Sequence, residues 1–164
     1  MRPSKLRTRG LAGVLTVIAL LVLGALAVQT FYCPCERTPG GWLLGNRPAA
    51  PVADWTFANQ VPLCQIQVWV GIRPHAINLN CMAADGELFL SCAGCEGKTW
   101  STAALAHPQA RLRLGSTVYP VTLTRVDDPQ RLARAWRARE GKLGRPTDTP
   151  PQPGWWSFHA AYRD

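Results

Sequence analysis

Apolar and polar residues alternate most clearly between Leu63 and Cys92. LCQIQVWV puts Cys64, Ile66, Val68 and Val70 on one face and Leu63, Gln65, Gln67 and Trp69 on the other. GIRP breaks the run. HAINLNC resumes it, with Ile77, Leu79 and Cys81 against Ala76, Asn78 and Asn80. AADG is a turn sequence, and ELFLSC then sets Leu88, Leu90 and Cys92 on one face. A period of two, broken by Gly, Pro and Asp-Gly, predicts a three-stranded antiparallel meander. Turns over Gly71–Pro74 and Ala83–Gly86 would oppose Val68 to Ile77, Ile66 to Leu79 and Cys64 to Cys81, then Leu79 to Leu90 and Ile77 to Cys92. Every apolar residue then meets another, and a one-residue slip would turn each to the wrong face. Gln67, Asn78 and Ser91 form a polar row on the other side. It is either a solvent face or a face for a ligand or subunit.

The pattern changes after Cys92. STAALAH, Ser101 to His107, suits a short helix capped by Ser101 and closed by Pro108. Strands are expected over about 110–114 and 118–126, joined at Gly115-Ser116. Asp128-Pro129 reads as a cap with proline at the first helical position. In the helix that follows, Leu132 and Trp136 lie four apart on one face, and Gly141 is a stop. A proline-rich loop leads to WWSFHAAYRD, which alternates Trp156, Phe158 and Ala160. The sum is a mainly β, six-stranded barrel with two short helices.

One segment lies outside this scheme. Leu11 to Val28 is apolar and uncharged, and Arg2, Lys5, Arg7 and Arg9 precede it without an acid. Eighteen apolar residues are just enough for a bilayer span, and flanking bases stay on the cytoplasmic side. The expectation is a basic tail over 1–10, a transmembrane helix over 11–28, a Pro/Gly-rich stalk over 29–54 and an extracytoplasmic domain over 55–164. A cleaved signal peptide, ending near Ala25 and Ala27, is the alternative. The chain carries a net charge of +8, half of it from those four bases. The remainder is too weak and scattered for a nucleic-acid binder.

All six cysteines follow the apolar segment, and in an oxidising compartment an even count favours disulfides. The meander pairs Cys64 with Cys81. Cys92 and Cys95 then bridge to each other or to Cys33 and Cys35 of the stalk, with Cys92 facing the core and Cys95 the loop. Zinc held by Cys33, Cys35, Cys92 and Cys95 is a competing reading, since four thiolates satisfy its tetrahedral geometry. C-x-x-C is also a redox spacing, but here it leaves a strand rather than opening a helix. His75, His107 and His159 fall at no metal or triad spacing, and there is no G-x-S-x-G, phosphate loop or carboxylate pair. Glu87, Glu96, Asp127 and Asp128 sit at turns and are expected to face water.

The order of the parts carries a resemblance. Arg73-Pro74-His75 opens one strand, Asp85-Gly86 turns it, and Leu88 to Ser91 forms an apolar strand ending in serine. Lys98 follows in a loop, then a short helix ending Ala106-His107-Pro108 before another strand. This sequence of features, roughly Cys64 to Val126, resembles the FMN-binding split β-barrel superfamily of pyridoxamine 5'-phosphate oxidase and its relatives, deazaflavin-dependent nitroreductases among them. The resemblance implies a homodimer with FMN or a deazaflavin bound at the subunit interface, and hydride transfer through that ring. It places His75 where the family often has a phosphate-binding arginine, Asn80 near a lysine and Ser91 at the end of the third strand. Lys98 is the charge retained from the family's Ser-Arg-Lys loop, one residue displaced, and Asn78 of the polar row joins the expected site. The competing reading is a disulfide-stapled structural or interaction domain without a cofactor.

Overall fold

The structure is a computed structural model that describes residues 5–31 and 39–163, with side chains in the first segment described over 12–28. Cys33 and Cys35 lie outside the described residues, so their pairing and the zinc set that includes them lie outside too. Helix α1 spans Lys5–Phe31.

Six strands follow: β1 Cys64–Val70, β2 Arg73–Ala84, β3 Glu87–Cys92, β4 Gln109–Leu114, β5 Thr117–Arg125 and β6 Trp156–Tyr162. They close a barrel in the order β1-β2-β3-β6-β5-β4. The predicted faces hold. Cys64, Ile66, Val68, Leu79, Cys81, Leu88, Leu90, Leu112, Val121 and Phe158 share one buried interior cluster.

The register differs from the expectation by two residues at each hairpin. Cys64 pairs with Leu79 and Ile66 with Ile77, while Cys81 pairs with Leu90. Both turns are tight two-residue loops, Gly71-Ile72 and Asp85-Gly86, so the strands run further toward them. Gly71, Asp85 and Gly86 take positive φ, as such loops demand. A shift of two leaves every side chain on its predicted face. Cys64 and Cys81 are therefore diagonal neighbours, and they still form a disulfide across a Cα–Cα distance of 5.9 Å.

Helix α2, Thr99–Ala106, begins earlier than expected, with Lys98 as its cap residue. Ser101 does not cap it. Its hydroxyl donates to the carbonyls of Cys95 (2.5 Å) and Lys98 (3.1 Å). Helix α3, Pro129–Lys142, starts as predicted: Asp128 Oδ1 accepts from the Arg131 N–H at 2.7 Å, with proline in the first turn. It covers the outside of β2 and β3 through Met82, Phe89, Ala135, Trp136 and Trp155. On another outer face, residues 39–47 lie against the barrel. Gly40 bridges to Ala76, Asn46 bridges to Thr117, and Leu43 is fully buried with Ala76 and Val118.

The anchor expected over Leu11 to Val28 is not supported. Among the described residues no helix is long and apolar enough to cross a membrane. The single-pass membrane localisation is therefore not supported.

Candidate functional site

Strand β2 is twelve residues long and serves two neighbours. Over Arg73–Leu79 it pairs with β1, and over Asn80–Ala84 it pairs with β3. Beyond Asn80, β2 and β3 part, because β3 ends at Cys92 and the chain turns away into α2. A cavity of about 450 Å³ fills the gap. His75, Ile77, Asn78 and Leu79 line it from β2, Cys92 from the end of β3, and Gly97 to Trp100 from the start of α2.

The loop between Cys92 and α2 is held in several ways. Cys92 and Cys95 form a disulfide with a Cα–Cα distance of 5.5 Å. Gly94 and Gly97 adopt positive φ, which side-chain-bearing residues rarely do. The Cys95 N–H donates to Gly154 O at 3.3 Å, and the Lys98 ammonium donates to Ala93 O at 2.7 Å. Cys95 is fully buried in the barrel core, not turned into the loop as the sequence suggested.

The cavity has a polar end. Lys98 caps α2, so the N–H groups of Thr99, Trp100 and Ser101 have no acceptor within their own helix, and the helix dipole adds partial positive charge. The ammonium of Lys98 keeps two further donors beyond the bond to Ala93. Burial holds the His75 imidazole below its ordinary pKa, so it is neutral at pH 7. Gln65 Nε2 donates to Asn78 Oδ1 at 3.0 Å and orients that amide. Trp100, almost wholly buried, adds an apolar wall backed by Phe158, with ring centroids 5.2 Å apart.

Three of the five sequence-derived site residues therefore meet in one cavity: His75, Asn78 and Lys98. Asn80 and Ser91 do not line it. They oppose each other where β2 and β3 are still paired. Ser91 is 2% exposed, and among the described residues its hydroxyl has no hydrogen-bond partner. Trp100, Thr99 and Cys92 were not in the expected set. The displaced helix start conceals the first two, since α2 begins at Thr99 and not at the serine that resembles a cap. No metal-binding group of His, Cys, Asp or Glu occurs among the described residues.

This arrangement, a closed six-stranded antiparallel barrel with a short helix after the third strand, recurs in solved structures. A Listeria innocua protein named for pyridoxamine 5'-phosphate oxidase superposes with a TM-score of 0.55 at 10% identity, covering 66% of this chain and 89% of that one. The chain has the split-barrel fold of the pyridoxamine 5'-phosphate oxidase-like proteins. A conserved hypothetical protein of Mycobacterium tuberculosis shares the split barrel at a TM-score of 0.54 and 14% identity, covering 73% of this chain and 86% of that one. No protein-family model and no curated protein matches the sequence. The split barrel thus stands on structure, and at these identities the likeness concerns the fold alone.

Proposed function

We propose that the cavity between β2 and α2 binds a flat, phosphate-bearing cofactor of the flavin class, FMN or a deazaflavin. The observation that carries this reading is the convergence of Lys98, the first turn of α2, His75 and Asn78 on one cavity backed by Trp100. An anionic group fits the polar end: helix N-termini and a lysine together supply the donors and positive charge that a phosphate takes. A ring system fits against the apolar wall of Ile77, Leu79 and Trp100, and the volume lies within the range of small-molecule sites. The split-barrel fold and the resemblance of Arg73 to Pro108 to flavin-binding relatives support the same assignment.

In this reading the bound flavin would supply hydride chemistry. The chain's own residues bind and orient it. Lys98 and the α2 amides hold the phosphate, Asn78 meets a polar edge, and Trp100 keeps water from one side. The reading includes a homodimer, and Trp69, Val70 and the highly exposed Ile72 at the β1–β2 turn offer apolar surface to a second copy.

Titration of FMN and of a deazaflavin into the purified chain, followed by absorbance and light scattering, tests this. Lys98→Ala should weaken phosphate-dependent binding by about 1.5–3 kcal/mol, the scale of a hydrogen bond to a charged group. Equal affinity in the variant would remove Lys98 from the site. A chain that takes up neither cofactor would remove the flavin reading, and a monomer at every concentration would remove the homodimer.

A further inference from the structure

The two disulfides differ in setting. Cys64 and Cys81 are both fully buried inside the barrel, on adjacent strands. Cys92 lines the open cavity and is 9% exposed, whereas Cys95 lies behind it at 0%. The first bridge spans 17 residues of sequence and the second only 3, so the second restrains the unfolded chain far less. Its position suits chemistry better than stapling. Cys92, the member of the pair that lines the cavity, is the one open to attack, and the fully buried Cys95 is the one that would leave. Lys98 is held over the same loop by its bond to Ala93 O, and α2 begins at Thr99. A nearby ammonium and a helix N-terminus both favour a thiolate.

We propose that Cys92–Cys95 is a thiol–disulfide exchange site that takes small thiols and dithiols admitted through the cavity. The proposal is independent of flavin binding. A thiolate of an incoming dithiol attacks Cys92 Sγ along the cavity, the bond to Cys95 breaks, and Cys95 departs as a thiolate. The second thiolate of the dithiol attacks its own sulfur in the mixed disulfide and releases Cys92. One dithiol becomes a cyclic disulfide and the protein gains a dithiol, a balanced transfer of two electrons and two protons. The reverse direction oxidises the protein with a small disulfide such as oxidised glutathione, yielding two equivalents of glutathione.

The test uses the folded full chain. Native protein is treated with dithiothreitol, quenched with N-ethylmaleimide and mapped by mass spectrometry, with circular dichroism on the same sample. Alkylation is expected at Cys92 and Cys95 at least tenfold faster than at Cys64 and Cys81, with the fold retained. Oxidised glutathione should then restore the Cys92–Cys95 bridge. Cys95→Ser should collect one glutathione, on Cys92, and Lys98→Gln should slow reduction several-fold. Resistance of both bridges until the chain unfolds, or simultaneous opening of both, would overturn the proposal. So would loss of the fold on reduction of Cys92–Cys95. If Cys95→Ser fails to fold, the wild-type rate comparison still decides.

Discussion

His75 and His159 both hold their protons more weakly than a free imidazole. For His75 the cause is burial. For His159 burial comes first and the charge of Arg131 adds to it, while Glu87 opposes both. Glu87 itself is lowered: burial pushes it up, but the hydrogen bond from Arg131 and the charges of Arg131, His159 and Arg134 outweigh that. Contrary to the expectation from its place beside a turn, Glu87 does not simply face water. It takes Arg131 at 2.5 Å and Arg134 at 2.9 Å, tying α3 to β3. A group with a lowered folded pKa binds more protons in the unfolded chain over the interval between its two values, so stability rises with pH there. For the histidines that interval begins near the ordinary value of about 6.5 and extends downward. The urea midpoint should therefore fall as pH drops from 7 to 5, before Glu87 contributes at still lower pH. His75→Asn and His159→Gln should each flatten the slope. A midpoint constant over this range would contradict the account.

At the scale of elements, the sequence was most legible where a face is buried on one side. The alternation in β1, β2 and β3 identified three strands and sorted their side chains, because each apolar row lines the barrel interior. It did not fix the register, because a shift of two keeps the faces and only the turn geometry distinguishes the alternatives. The start of α2 was missed for a related reason. Ser101 resembles a cap, but its hydroxyl serves the Cys95 and Lys98 carbonyls, a contact that exists only once the disulfide loop is folded. Lys142 shows what no periodicity reveals. From the last turn of α3 its ammonium reaches the carbonyls of Ala58 (3.0 Å), Val61 (2.6 Å) and Cys81 (2.6 Å). It joins the helix to a 3-10 turn at Thr56–Gln60 and to β2. Burial lowers its pKa, yet three oxygens receive its three protons. Lys142→Met should leave those carbonyls without their donor and cost about 1–3 kcal/mol in urea unfolding. No loss would mean that water replaces the ammonium.

For the whole molecule, closure depends on a cross-link and on a late strand. The Cys64–Cys81 bridge joins the two strands that open the barrel sequence, and chain-entropy reasoning gives it about 3 kcal/mol. Replacing both cysteines by alanine should lower unfolding stability by about that amount and leave the Cys92–Cys95 exchange rate unchanged. A change in that rate would show that the two bridges communicate through the barrel. Of the candidate site, His75 and Lys98 were readable through the family resemblance and Asn78 as a member of the polar row. Their meeting was not, because it requires β2 to outrun β3. The strand order has a consequence in time as well. β6 lies between β3 and β5, so the ladders of Leu88 with Ala160 and Val121 with Tyr162 both wait for it. During synthesis β3 is complete at Cys92 while its partner starts only at Trp156. At roughly 5–20 residues per second that interval lasts several seconds. Throughout it the nascent chain carries two unsatisfied strand edges, with Cys92 and Cys95 at the end of one of them. Cys92 and Cys95 thus meet the cell's redox chemistry and its chaperones before the wall that will enclose them exists.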